Sequence, residues 1–232
     1  MSEESPAVPA TSPAPASAPD PRFEDPTDAN QPPVKRAPTP PPPPFALPPL
    51  FGKYSFEGIE VHDPGLAPYL YLHPIYSPHT EGKLSGRPFM KTHMHVVERL
   101  ANNLMKGGKF TGKKSKAISA IRIAFAEVAR RDKANPLQLL VNAIENASPR
   151  EEVTRLQFGG ISVPRAVDSA PARRAGVAIR NLAQGAIQAS RKSTKALAIC
   201  LADEILLAAK GDQTSFAVAR KEEIERVAQS AR

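Results

Sequence analysis

The sequence predicts a mainly α protein: a bundle of about six helices with one inserted, protruding β-hairpin, preceded by a disordered Pro-rich N-terminal tail. Three observations predict it. Apolar residues recur at helical spacing through most of the chain after about residue 92. That rhythm is interrupted once, by two runs of β-formers flanking Gly159-Gly160 in REEVTRLQFGGISVPRAVDSAPARR. Finally, residues 1–49 hold 17 of the 26 prolines.

Residues 1–49 are largely Pro, Ala, Ser and Thr and culminate in Pro40 to Pro44. Such a segment cannot bury enough apolar surface to offset its ordering entropy, and its polyproline run is extended and solvated. Residues 50–232 remain, enough for one domain with a core. Charge divides at the same place. The tail carries Arg22, Lys35 and Arg36 against six acids, a net of −3, while the whole chain is +8, so the remainder is +11. A domain this basic points to nucleic acid or an anionic membrane surface. No stretch resembles a membrane span or a secretory signal, so no membrane partner is expected. The single cysteine, Cys200, excludes an internal disulfide framework and fits a reducing cytoplasm.

In chain order, residues 50–90 mix aromatics, prolines and turn residues without helical periodicity. They are too apolar for a free tail and read as an irregular strap over the body, with a short strand near Glu57–Val61. Val96, Val97, Leu100 and Leu104 predict a helix over Thr92–Met105. Ile118, Ile121, Phe125 and Val128 predict the next, over Lys114–Arg131. Asn135-Pro136 is a capping residue followed by proline at the first helical position, and Leu137, Leu140, Val141 and Ile144 follow it. Pro171 opens a helix to Ser190, and Gly176 and Gly185 inside it predict a less regular segment. Another helix runs to Lys210, with Gly211 as its C-terminal cap. The last spans Ser215–Ala231, with Glu222 and Arg226 paired at i, i+4.

Closing the hairpin at Gly159-Gly160 fixes its register, because two-residue turns demand positive φ. Phe158 then faces Ile161, Leu156 faces Val163, and Thr154 faces Arg165. Pro164 falls on a non-hydrogen-bonded site, where its missing N–H would point away from the partner strand. A two-stranded ribbon is marginal alone, so residues 152–167 must lean on helices or on a partner. Its arginines suggest a polyanion, and they equally fit an ordinary solvated hairpin.

Gly107–Lys113 nearly spells a phosphate-binding loop, with Gly107, Gly112 and Lys113 at the right spacing. The position that should hold magnesium through Ser or Thr is Lys114, and the loop follows a helix rather than a strand. A phosphate- or nucleotide-binding enzyme is therefore the alternative reading, and a lysine-rich loop gripping RNA phosphates the favoured one. His93 and His95 diverge at i, i+2, so no metal site is expected. No nucleophile, base and orienting acid can be assembled, so neither catalysis nor a cofactor is expected.

KGGKFTGKKSKA, NPLQLLVNAIENASPREEV, RLQFGGISVPRAVDSAPARR and SRKSTKALAICLADEILLAAKG, in that order, resemble the small-subunit ribosomal protein seven family. The strap, FGKYSFEGIEVHDPGLAPYL, looks like the archaeal and eukaryotic branch. The resemblance spans residues 50–232 and leaves out the Pro-rich tail. It implies a structural constituent of the small ribosomal subunit that binds the 3′ major domain of ribosomal RNA and initiates head assembly. It also implies a hairpin near exit-site transfer RNA and the messenger path, neighbouring head and platform proteins as partners, and a place in cytoplasmic ribosomes.

Folded RNA is recognised mainly through phosphates, 2′-hydroxyls and shape. Three basic groups at element boundaries are the RNA-binding candidates: Lys106, Lys109, Lys113, Lys114 and Lys116; Arg150, Arg155, Arg165, Arg173 and Arg174; and Lys192 with Lys195. A Pro-rich adaptor acting through residues 38–49 is a further rival.

Overall fold

The computed structural model describes residues 49–84, 86–107, 110–191 and 193–232. The expected disorder of the Pro-rich extension, and the candidates Lys109 and Lys192, fall outside them. The described residues form six α-helices and one antiparallel hairpin: α1 (Val96–Leu104), α2 (Lys114–Asp132), α3 (Pro136–Asn146), β1 (Glu151–Phe158), β2 (Ile161–Asp168), α4 (Pro171–Ser190), α5 (Leu197–Lys210) and α6 (Phe216–Ser230).

Helix α5 is central, packed against α2, α3 and α4, while α6 lies on α4 and on both strands. The apolar faces read from the sequence build one core. Val96, Val97, Leu100, Leu104, Ile121, Phe125, Val128, Leu137 and Ile144 are fully buried. Phe125 receives the edges of two strap rings, Phe51 and Tyr54, at centroid distances of 6.5 and 6.0 Å.

The hairpin has the expected register throughout, from Glu151 opposite Asp168 to Phe158 opposite Ile161. Gly159 and Gly160 sit at φ +55° and +85°, as the tight turn requires. Its base is closed by Ser169 N–H donating to Arg150 O at 2.9 Å and anchored by Ala166 N–H donating to Ala231 O at 3.3 Å.

Four expectations need correction. The first helix does not begin at Thr92: Met90–His93 form a 3-10 turn, and Met94 and His95 are extended. His95 instead caps α1, its Nδ1 accepting from Val97 N–H at 3.2 Å, while Val96 N–H donates to Tyr71 O of the strap. No strand forms at Glu57–Val61. A single side-chain amide replaces the strand partner, since Gln138 accepts from Glu60 N–H and donates to Glu60 O, both at 2.9 Å.

Helix α4 is continuous over 20 residues despite its glycines. A Cβ on Gly185 would lie 2.8 Å from Glu204 Cδ and 2.9 Å from Phe216 Cβ, so glycine there lets α5 and α6 approach α4 closely. Glu204 then accepts from Ser215 Oγ and Ala217 N–H, closing the N-terminus of α6 from the side. On α6, Arg220 pairs with Glu223, and Glu222 accepts from Gln213, in place of the expected Glu222–Arg226 contact.

Candidate nucleic-acid interface

Helix α4 organises the basic surface. Arg173, Arg180, Gln184, Gln188 and Arg191 fall on one stripe of the helix, because offsets of 7, 11, 15 and 18 residues return to nearly the same face. All five are exposed. With a rise of about 1.5 Å per residue, the stripe runs the length of the helix, from the hairpin base to the loop before α5.

At the far end of that stripe is a cleft of about 290 Å³. Lys106, Arg180 and Arg191 line it with the amides of Asn103, Gln184 and Gln188, and no carboxylate contributes. None of the three cations has an ion-pair partner among the described residues. The loop after α1 approaches α4 closely here: a Cβ on Gly107 would lie 3.4 Å from Ile187 Cδ1. The loop after α1 and the C-terminal end of α4 thus meet at one end of the bundle. Phe110, Ser115 and Lys116 share a second groove with Ala196 and Leu197, just past Lys195.

The individual candidates differ in how free they are. Lys113 and Lys116 are exposed. Lys114 is turned inward, its Nζ 2.5 Å from Oε1 of the fully buried Glu98, which also accepts from Thr80 N–H and Oγ1. Burial would raise the Glu98 carboxyl, but the hydrogen bonds from Lys114 and Thr80, with the Lys114 charge, hold it below the usual carboxylate range. Lys114 therefore occupies the place where a nucleotide-binding loop would hold magnesium. The loop follows α1 and not a strand, so the enzyme alternative has no site here.

The hairpin group does not form one patch. Arg155 stands opposite Pro164 and Arg165 opposite Thr154, so the two point to opposite faces of the ribbon. Both are exposed, as is Arg150. Arg173 donates to Glu152 at 2.6 Å but keeps 64% of its side chain in solvent. Arg174 is structural, donating to Asp63 at 2.7 Å and to Ser148 Oγ at 3.3 Å, and so joining the strap to α4. Burial raises the Asp63 carboxyl, yet the hydrogen bonds from Arg174, Gly65 and Leu66 and the charge of Arg174 together hold it low. Lys195 lies 3.9 Å from Asp203, which Arg131 holds more closely at 2.5 Å.

Sequence reasoning did not single out Arg180 and Arg191 as binding residues. Their signal was present as polar positions recurring at helical spacing along α4, and reading charge by adjacency in sequence hides it. Among the described residues, no three His, Cys, Asp or Glu side chains cluster to hold a metal ion. None of the described helices is long and apolar enough to cross a membrane.

Cations along one helix face and a basic ribbon arm define a cationic helical scaffold. Comparison with known proteins gives its family. A model described as Ribosomal protein S7p/S5e matches residues 73–232, and the chain belongs to that family. The small ribosomal subunit protein uS7 of Thermoplasma volcanium is 55% identical over 183 residues, 79% of this chain and 100% of its own length. That of Archaeoglobus fulgidus is 50% identical over 79% of this chain and 94% of its own length. The chain is a structural constituent of the small ribosomal subunit and not an enzyme, and archaeal relatives stand beside it, as the strap suggested.

Proposed function

We propose that the chain anchors the 3′ major domain of small-subunit ribosomal RNA through the α4 face and initiates assembly of the subunit head. The observation that carries this reading is the cleft where Lys106, Arg180 and Arg191 converge without a carboxylate. Three unpaired cations and three side-chain amides suit phosphate oxygens and 2′-hydroxyls, and nothing there opposes negative charge. Lys113, Lys116 and Lys195 extend the positive field around the adjoining loops, and Arg150, Arg155, Arg165 and Arg173 extend it along the hairpin. On this reading the hairpin reaches toward the exit site and the messenger path, head and platform proteins adjoin the body, and the subunit works in the cytoplasm.

The test measures affinity for a head-domain RNA fragment as a function of salt. Changing Arg180 and Arg191 together to Gln is expected to weaken binding and to flatten the slope of log affinity against log salt by about 1–2, the loss of about two phosphate contacts. Lys114→Met serves as the comparison, since its charge is spent on Glu98: it should lower the melting temperature and leave the slope nearly unchanged. An unaltered slope in the double arginine variant would remove the α4 cleft from the interface.

A further inference from the structure

We propose that Phe89 stacks on an unpaired RNA base, while Arg87 and Lys91 on either side of it hold the flanking phosphates. Phe89 is the most exposed large apolar side chain among the described residues, at 77%. No other ring contacts it among them. Its backbone sits at φ +62°, a conformation that is strained for a bulky side chain. Core packing does not account for that conformation, because the ring lies mostly in solvent.

The turn that carries Phe89 is held at both ends. Thr92 fixes it from within, its N–H and Oγ1 both donating to Phe89 O, at 3.0 and 2.7 Å. Met90 N–H donates to Arg87 O at 3.4 Å. The far end of the Met90–His93 turn is braced against the strap, where the His93 ring meets Tyr71 at 6.4 Å and Tyr71 meets His73 at 5.8 Å. Phe89 is therefore presented in place, and stacking on it orders little additional backbone.

An exposed aromatic ring alone would fit a protein partner equally well. Charge favours RNA. Arg87 and Lys91 are exposed, and neither has an ion-pair partner among the described residues. From Gly82 to Val97 the sequence holds Lys83, Arg87 and Lys91 and no acidic residue. Glu81 is exposed just before this run, and Glu98 just after it is buried and bound by Lys114. A ring between two cations without counterions offers a π-face to a base and positive charge to the backbone on either side, as single-strand binding surfaces do. Paired RNA keeps its base faces stacked, so the ligand is a nucleotide in a loop, bulge or end. The site lies before α1, away from the helix that organises the cleft, and shares with the α4 reading only the class of partner.

The test measures the affinity of the full-length chain for RNA of the whole 3′ major domain as a function of salt. Phe89→Gly relieves the positive φ, so its melting temperature should hold or rise while affinity falls by about tenfold. Its salt slope should stay unchanged, because stacking releases no counterions, whereas changing Arg87 and Lys91 together to Gln should flatten the slope by about 1–2. Phe89→Tyr keeps the ring and should bind as the wild-type chain does. A benzophenone amino acid at position 89, in chain assembled into small subunits, is expected to capture RNA at an unpaired nucleotide on irradiation. Undiminished affinity in Phe89→Gly, a Phe89→Tyr as weak as the glycine variant, or capture of protein or of paired RNA overturns the proposal. The Arg180 and Arg191 variant reads the α4 cleft through a changed slope and Phe89→Gly reads this site at constant slope, so either proposal can fail without the other.

Discussion

His95 shows how much one side chain is asked to do. It is almost completely buried, it caps α1 through Nδ1, and its ring meets Phe56 edge-on at 5.6 Å. Burial is the largest influence on it; against the opposing charge of Glu98 and with a further contribution from His73, it holds the pKa at about 4. The unfolded chain takes up this proton near pH 6.5, whereas the fold resists until about pH 4. Acid therefore favours unfolding across that window, and the stability present above pH 6.5 is lost as pH falls toward 4, by roughly 3 kcal/mol. His95→Asn keeps a capping acceptor without the titration. Its urea midpoint should change less between pH 6.5 and 4 than that of the wild-type chain, and equal pH dependence would exonerate His95.

The two glycines of α4 make opposite predictions at the same scale. Gly176 has only Arg99 Nη2 near its missing Cβ, at 3.9 Å, so Gly176→Ala should stabilise by up to about 1 kcal/mol through helix propensity. Gly185→Ala gains the same propensity but drives a methyl group into Glu204 and Phe216. Overpacking of this kind costs about 1–3 kcal/mol, so the net change should be destabilising. Thermal melting of the two variants side by side decides it, and a stabilised Gly185→Ala would mean that α5 and α6 yield easily.

At the scale of elements, what was legible depended on how local its cause is. The hairpin could be read residue by residue, because Gly159-Gly160 imposes the turn and alternation fixes every pair after it. The α3 cap was legible for the same reason, with Asn135 Oδ1 accepting from Leu137 N–H two residues on. Causes distant in sequence were not. Glu98 claims Lys114 from 16 positions away, and Gln138 claims Glu60 from 78. The candidate cleft takes residues from α1, α4 and the loops between helices, so charge runs in the sequence captured only its edges. Arg174 was in the expected group, yet folding commits it to Asp63. The hairpin itself is expected to be separable from RNA anchoring. Deleting residues 152–167 should spare affinity for the head RNA more than it disturbs exit-site transfer RNA occupancy, and failure of subunit assembly in that deletion would refute the separation.

At the scale of the molecule, the surface beside α4 changes character along its length. One end of α4 is open to negative charge, and the other carries its own counterions and an aliphatic floor. Helix α6 connects them mechanically, because Glu204 holds its start and Ala231 holds β2 near its end. The strap sits outside this frame. Ser55, Glu60 and Asp63 are fastened to α3 by Asn135, Gln138 and Glu145, one side chain each, and not by a continuous ladder. Fastenings that are discrete can release one after another, so this stretch of backbone should trade its amide protons for deuterium through small local openings while α5 waits for global unfolding. Gln138→Ala ought to quicken exchange at Glu60 and leave Leu201 as slow as before.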